Sequence, residues 1–223
     1  MKGDRIVVEE YHRSAAREIV LKNIVHIMAS PTRYSMTVAG ESGSGKSETA
    51  RAISDDLQTH GLGCVVLGQD DYFHLPPSLN DSRRREDPEW LGPHVEVNMA
   101  ALQANIDYAL QGAPKLVKPL IDYNETVAGQ EEIDLSRIKV IIAEGTYTSL
   151  LKNIHTKIFI ARNRLDTLEH RQKRNRGNEV QDSFIEDVLK TEHKIIAGHI
   201  YLSDFVITKE YRVEQRNILR PDN

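Results

Sequence analysis

Apolar residues along this chain fall into two alternating patterns. Residues 11–29 carry Ala15, Ile19, Ile24, Ile27 and Met28 near helical spacing, and Ser30-Pro31-Thr32 ends the run. After that, short apolar runs alternate with helix-length segments. Residues 35–39, 64–67, 139–143, 157–161 and 204–208 read as strands, and 116–121 as an extended segment. Residues 46–60, 97–110, 166–175 and 181–197 read as helices. Gly61-Leu62-Gly63 closes the first of these and Gly112 the second. Residues 74–94 are polar, hold several prolines and the run Arg83-Arg84-Arg85, and read as a long loop or lid. Apolar strands alternating with helices predict an α/β fold, with a mostly parallel sheet covered by helices on both faces. Ligands of such sheets sit at the carboxyl ends of the strands.

Length and charge narrow the picture. The 223 residues suffice for one sizeable domain. We expect an N-terminal helical extension over 1–32 and a main domain over 33–223. A formal charge of −4 gives no global basic field, so neither nucleic acid nor a membrane surface is expected as a partner. The single cysteine, Cys64, allows no internal disulfide and fits a reducing compartment. No leader-like apolar segment or run of 18 apolar residues occurs, so a cytoplasmic location is expected.

The strand at 35–39 runs into Gly40-Glu41-Ser42-Gly43-Ser44-Gly45-Lys46-Ser47, a complete match to G-x-x-x-x-G-K-[ST]. The glycines let successive N–H groups turn inward onto a phosphate, and the following helix adds its positive end. Gly40, Ser42, Gly43, Ser44, Gly45, Lys46, Ser47 and Glu48 are the expected nucleotide contacts, with ATP and Mg²⁺ as cofactors. Lys46 reaches the outer phosphates and Ser47 the metal.

Three further features suggest chemistry beyond binding. Glu144 caps the apolar strand 139–143, where a carboxylate would position Mg²⁺, and Gly145 beside it permits close backbone approach. Asp70 and Asp71 follow the strand 64–67. A carboxylate there, with Asp70 preferred, would accept the proton of an acceptor hydroxyl and stand near the metal. Arg171, Arg174 and Arg176 lie in a basic segment, with Arg171 and Arg174 on one helical face, suited to neutralising charge on a moving phosphoryl group.

With these residues in view, the chain resembles the uridine kinase and phosphoribulokinase family of P-loop small-molecule kinases, over about residues 35 to 208. Four segments carry the resemblance. They are the loop 40–47; Gln69-Asp70-Asp71-Tyr72-Phe73; Val117-Lys118-Pro119-Leu120-Ile121-Asp122-Tyr123 followed by Val140-Ile141-Ile142-Ala143-Glu144-Gly145; and the arginine-bearing helix with Ser203-Asp204-Phe205-Val206-Ile207. The resemblance implies a three-layer P-loop NTPase fold of the nucleoside monophosphate kinase type. It also implies transfer of the ATP γ-phosphate to a hydroxyl of a small molecule. Asp70 would be the base, Lys46 a catalytic cation, Glu144 a metal-site acid, and Arg171 and Arg174 lid arginines. Self-association is common among kinases of this kind, so a homo-oligomer is a further expectation.

The acceptor pocket departs from the family pattern. Where uridine kinases carry a tyrosine, a histidine and an arginine that hold the nucleoside, this chain has Ile121, Thr126 and Ala128. Asp71, Tyr72, His94 and Tyr123 are candidate acceptor contacts instead, with Glu96 beside them. The competing reading is a nucleotide-binding regulatory protein with reduced catalysis. A regulatory GTPase fits less well, because no N-K-x-D segment is present.

Overall fold

The structure, a computed structural model, describes residues 6–121, 128–167 and 182–216. Helix α1 (Glu10–Ala29) precedes strand β1 (Tyr34–Gly40), helix α2 (Lys46–Thr59) and strand β2 (Gly63–Gly68). A short 3-10 turn (Gln69–Tyr72) leads to helices α3 (Pro77–Glu86) and α4 (Met99–Leu110). Strands β3 (Lys115–Ile121), β4 (Ala128–Asp134), β5 (Ile138–Glu144) and β6 (Thr156–Ile160) follow. Helix α5 (Ser183–Ile196) and strands β7 (Phe205–Ile207) and β8 (Val213–Gln215) complete the described chain.

Six strands form the main sheet in the order β2-β5-β1-β6-β7-β8. All neighbours are parallel except β7 and β8. Strands β1, β5, β6 and β7 are largely buried on both faces, which explains their near-continuous apolar runs. Along β5, Val140 and Ile142 face one core with α1 and α2, while Ile141 and Ala143 face the other with α4. The alternation is the two-residue period of a strand read against two layers of helices.

Helix α1 belongs to the first of these cores through Ala15, Ala16, Ile19, Val20 and Ile27. The buried face differs in one respect from the apolar positions of the sequence: Met28 is 69% exposed. A polar residue takes part instead. Asn23 is buried, donates to the Ile19 carbonyl and accepts from the Thr156 hydroxyl at 2.8 Å. A satisfied buried amide has no signature in an apolar count.

The segment 74–94, expected as a long loop or lid, has regular structure of its own. It contains α3 and a second 3-10 turn (Pro88–Trp90). Helix α3 has no apolar stripe, and its one large apolar residue, Leu79, is 47% exposed. Pro77 at its first turn and the i, i+4 pairs Arg85–Asp81 and Arg83–Asp87 support it. The strongest anchor is tertiary: the Arg84 guanidinium pairs with the wholly buried Glu96.

Smaller differences also have local causes. Helix α4 begins at Met99, capped by the Asn98 side chain on the Ala101 N–H, while Val97 bridges Phe73. Strand β4, rich in Gln130, Glu131 and Glu132, was not expected; it pairs with β3 in a separate antiparallel ribbon. Strand β8 is likewise an addition. Of the basic segment 166–175, residues beyond 167 lie outside the described residues.

Candidate active site

The loop between β1 and α2 turns on three glycines with positive φ: Gly40 (153°), Gly43 (79°) and Gly45 (97°). Gly45 has a second reason to lack a side chain. A Cβ there would lie 2.0 Å from the Tyr211 hydroxyl. Tyr211 itself holds φ at 62°, uncommon for a residue with a side chain. Its hydroxyl donates to the Ser44 carbonyl at 2.9 Å. Tyr11 and His12 of α1 pack on the Tyr211 ring, with centroids 4.5 and 4.9 Å away, and the Arg162 guanidinium lies over it. The loop is thus braced from behind by α1 and by the turn before β8. Lys46 turns its ammonium back onto the Glu41 carbonyl at 2.8 Å. Glu48 is buried in the first turn of α2.

Glu144 is the last residue of β5. In register it stands opposite Val38 of β1 and Gly68 of β2. Its strand therefore separates the phosphate loop from Asp70, which follows β2. Glu144 stands between the two. Lys46, Ser47 and Asp70 all act on its ionisation. The surrounding protein, and then the negative charge of Asp70, push the Glu144 carboxyl up to about 7, while Lys46 and a hydrogen bond with Ser47 oppose the rise. Gly145 permits the close approach that its sequence position suggests. A Cβ there would meet the Gln69 side chain at 2.3 Å, and Gln69 accepts the Tyr147 N–H at 2.7 Å.

The neighbouring candidates separate. Asp70 is partly exposed at this edge, whereas Asp71 is buried. The Asp71 carboxylate accepts from the Lys118 ammonium at 2.7 Å and from the Ile121 N–H at 3.2 Å, tying the turn after β2 to β3. Tyr72 is buried as well, in the core beneath α4. Its hydroxyl accepts from Asn105, and burial pushes its pKa up to about 12. Their surroundings make Asp71 and Tyr72 part of the scaffold beneath Asp70. His94 is exposed. Glu96 is wholly buried and accepts from Asn80, Arg84, the Gly92 N–H and the Tyr147 hydroxyl. Tyr123, Arg171, Arg174 and Arg176 lie outside the described residues.

Several residues at the loop carried no signal in the sequence. Glu41 accepts the Arg164 N–H at 2.8 Å and contacts His193 Nδ1 at 2.5 Å. Glu192 accepts both the N–H and the hydroxyl of Ser42. These are helix or loop positions of ordinary composition, and only the fold brings them together. A cavity of about 350 Å³ opens beside Ser47 and Glu144, lined also by Arg51, Cys64 and Val66. A larger groove of about 890 Å³ lies at the opposite edge, along Lys22, His26, Tyr34 and His155, away from the loop.

Glu144 brings oxygen donors together: its own carboxylate, the Ser47 hydroxyl and Asp70 nearby. Such a set suits Mg²⁺, and a raised carboxyl next to a second carboxylate is what a divalent cation would relieve. Among the described residues no cluster of three acidic, histidine or cysteine side chains could hold a metal unaided. Phosphate oxygens and water would complete the shell, as is usual for Mg²⁺.

Residues 18–112 match the Zeta toxin family model. A bifunctional alpha-galactosidase/sucrose kinase from Mediterraneibacter gnavus is 27% identical over 173 residues, covering 73% of this chain; the match spans only 18% of that protein. Among solved structures, D-glycerate 3-kinase from Cryptococcus neoformans superposes with a TM-score of 0.65 at 13% identity, over 93% of this chain and all of that one. A possible uridine kinase from Bacillus stearothermophilus gives 0.53 at 18% identity, over 78% and 91%. The loop, the strand-end carboxylates and these likenesses agree: this chain has the three-layer α/β fold of the P-loop small-molecule kinases and is similar to them in sequence.

Proposed function

We propose that this protein is a kinase that transfers the γ-phosphate of MgATP to a hydroxyl of a small molecule. One observation carries the reading. Lys46, Ser47 and Asp70 converge on Glu144 at the carboxyl edge of three adjacent parallel strands, β1, β5 and β2. A nucleotide-binding module needs the first two. Transfer to an acceptor gives Asp70 a use beyond standing near the metal, as the base.

The loop N–H groups and Lys46 would hold the triphosphate, with Lys46 leaving the Glu41 carbonyl for the outer phosphates. Ser47 and Glu144, with Asp70 nearby, would hold Mg²⁺, which when bound supplies charge neutralisation across the phosphates. Asp70, partly exposed and beside the site, would take the acceptor's hydroxyl proton. Arg171 and Arg174 are proposed to neutralise charge on the transferred group. The acceptor pocket would differ from that of a uridine kinase, since Ile121 stands buried on β3 and offers no polar group to a nucleoside.

The test is acceptor-stimulated ADP release over a panel holding sucrose and other sugars, D-glycerate and uridine. One acceptor should stimulate turnover. Asp70→Asn should then cut turnover by roughly 10²–10⁴-fold while leaving ATP affinity nearly unchanged. No stimulation by any compound would count against a kinase of this acceptor class.

A further inference from the structure

Glu192 belongs to α5, 150 residues beyond Ser42, yet its carboxylate sits on the phosphate loop. One oxygen accepts the Ser42 N–H at 2.7 Å and the other accepts the Ser42 hydroxyl at 2.8 Å. The side chain is 5% exposed. Burying a carboxylate is costly unless strong donors meet it. Here Ser42 supplies two, and Lys46 lies near enough to favour the charged form against the burial and the neighbouring Glu41 that oppose it. His193, the next residue, holds Glu41, whose second oxygen is fixed by the Arg164 N–H. Glu192 is therefore delivered to the loop by a fastened segment.

An anion bonded to a loop N–H beside the loop lysine has the contacts of a phosphate oxygen. The inner phosphates of a bound nucleotide lie against the helix end of such a loop, near Gly45 to Ser47. Ser42, three residues before Gly45, is left for the γ-phosphate of a triphosphate. We propose that Glu192 is a resident anion of the phosphate site, which competes with the γ-phosphate of a triphosphate for Ser42. The proposal rests on the reading of this loop as a nucleotide site, and it does not depend on phosphate transfer.

Two anions cannot share one N–H at hydrogen-bond range without strong repulsion. Glu192 must therefore turn away when a triphosphate binds, while a diphosphate leaves it in place. The penalty falls on ATP and spares ADP, and ATP alone loosens α5 from the loop.

The test is calorimetric titration of the full chain with MgATP and with MgADP, for the wild type and for Glu192→Gln. Glutamine keeps the shape and an accepting oxygen but lacks the charge. ATP affinity should rise about tenfold, within the usual range of coupling between sites, and ADP affinity should not change. Thermal melting checks that the variant is folded. If it is not, Glu192→Asp, one methylene too short for both Ser42 contacts, should show the same selective gain. An equal gain for both nucleotides, or a loss of ATP affinity, overturns the proposal. Failure of the wild type to bind either nucleotide would instead overturn the nucleotide-site reading, and the proposal with it.

Discussion

Asp70 and Asp71 are adjacent carboxylates with opposite surroundings. Asp71 faces Lys118 in a pair whose side chains are only 4% and 5% exposed. Removing one charge of a buried pair costs roughly 3–5 kcal/mol. Glu131 also lies 3.1 Å from Lys118, so Asp71→Asn should destabilise by less than that figure. Denaturant melts would show the loss, while ATP affinity per folded molecule should hold. Asp70→Asn should do the reverse, leaving stability intact and removing turnover. Glu144 adds a pH dependence. Its folded carboxyl titrates near 7 against an ordinary value of 4.5, so between those limits the folded state binds more protons than the unfolded one. Stability from this residue is therefore present at low pH and is lost as pH rises through that window. In metal-free buffer, going from about pH 5 to about pH 8 should lower the wild-type melting temperature more than that of Glu144→Gln. Much of this site was legible beforehand. A fixed motif and strand-end carboxylates depend on neighbours in sequence. The partners of Asp71 and Ser42 do not: Lys118 and Glu192 are an ordinary lysine on a strand and an ordinary glutamate on a helix until the chain folds.

Elements follow the same division. Strands β1, β5, β6 and β7 announced themselves because both of their faces are largely buried, and β2 because its short run is apolar though half-buried at the sheet edge. Helix α3 and strand β4 stayed hidden because charge pairs and a ribbon partner hold them, leaving no apolar period to read. The brace behind the phosphate loop is of the hidden kind too, since it joins α1, the loop and the turn before β8. Its central bond is the Tyr211 hydroxyl on the Ser44 carbonyl. Tyr211→Phe keeps the ring stacked on Tyr11 and His12 and removes this donor, together with the hydroxyl's contacts to Arg162 and Thr49. The expected loss of stability is about 1 kcal/mol. A looser loop should raise the KM for ATP with less effect on kcat, and steady-state kinetics with the acceptor found above would separate the two. An unchanged KM would show that the loop holds its shape without the bond.

At the scale of the molecule, strand order decides what the site can be. The apolar runs predicted a parallel sheet and placed its interesting residues at one edge, but strands of such uniform composition carry no mark of their neighbours. That β5 inserts between β1 and β2 is what puts Glu144 between the loop and Asp70, and no local pattern states it. The same topology spreads the site across the chain. Strand β1 finds its partners only in β5 and β6, and Ser44 meets Tyr211 across 167 residues. Contacts so distant close late and make folding slow. During synthesis at about 5–20 residues per second, the loop therefore waits on the order of ten to thirty seconds for its last brace to be made. Until then the growing chain exposes a glycine-rich turn backed only by α1, and a nucleotide arriving early would meet a motif without a finished site.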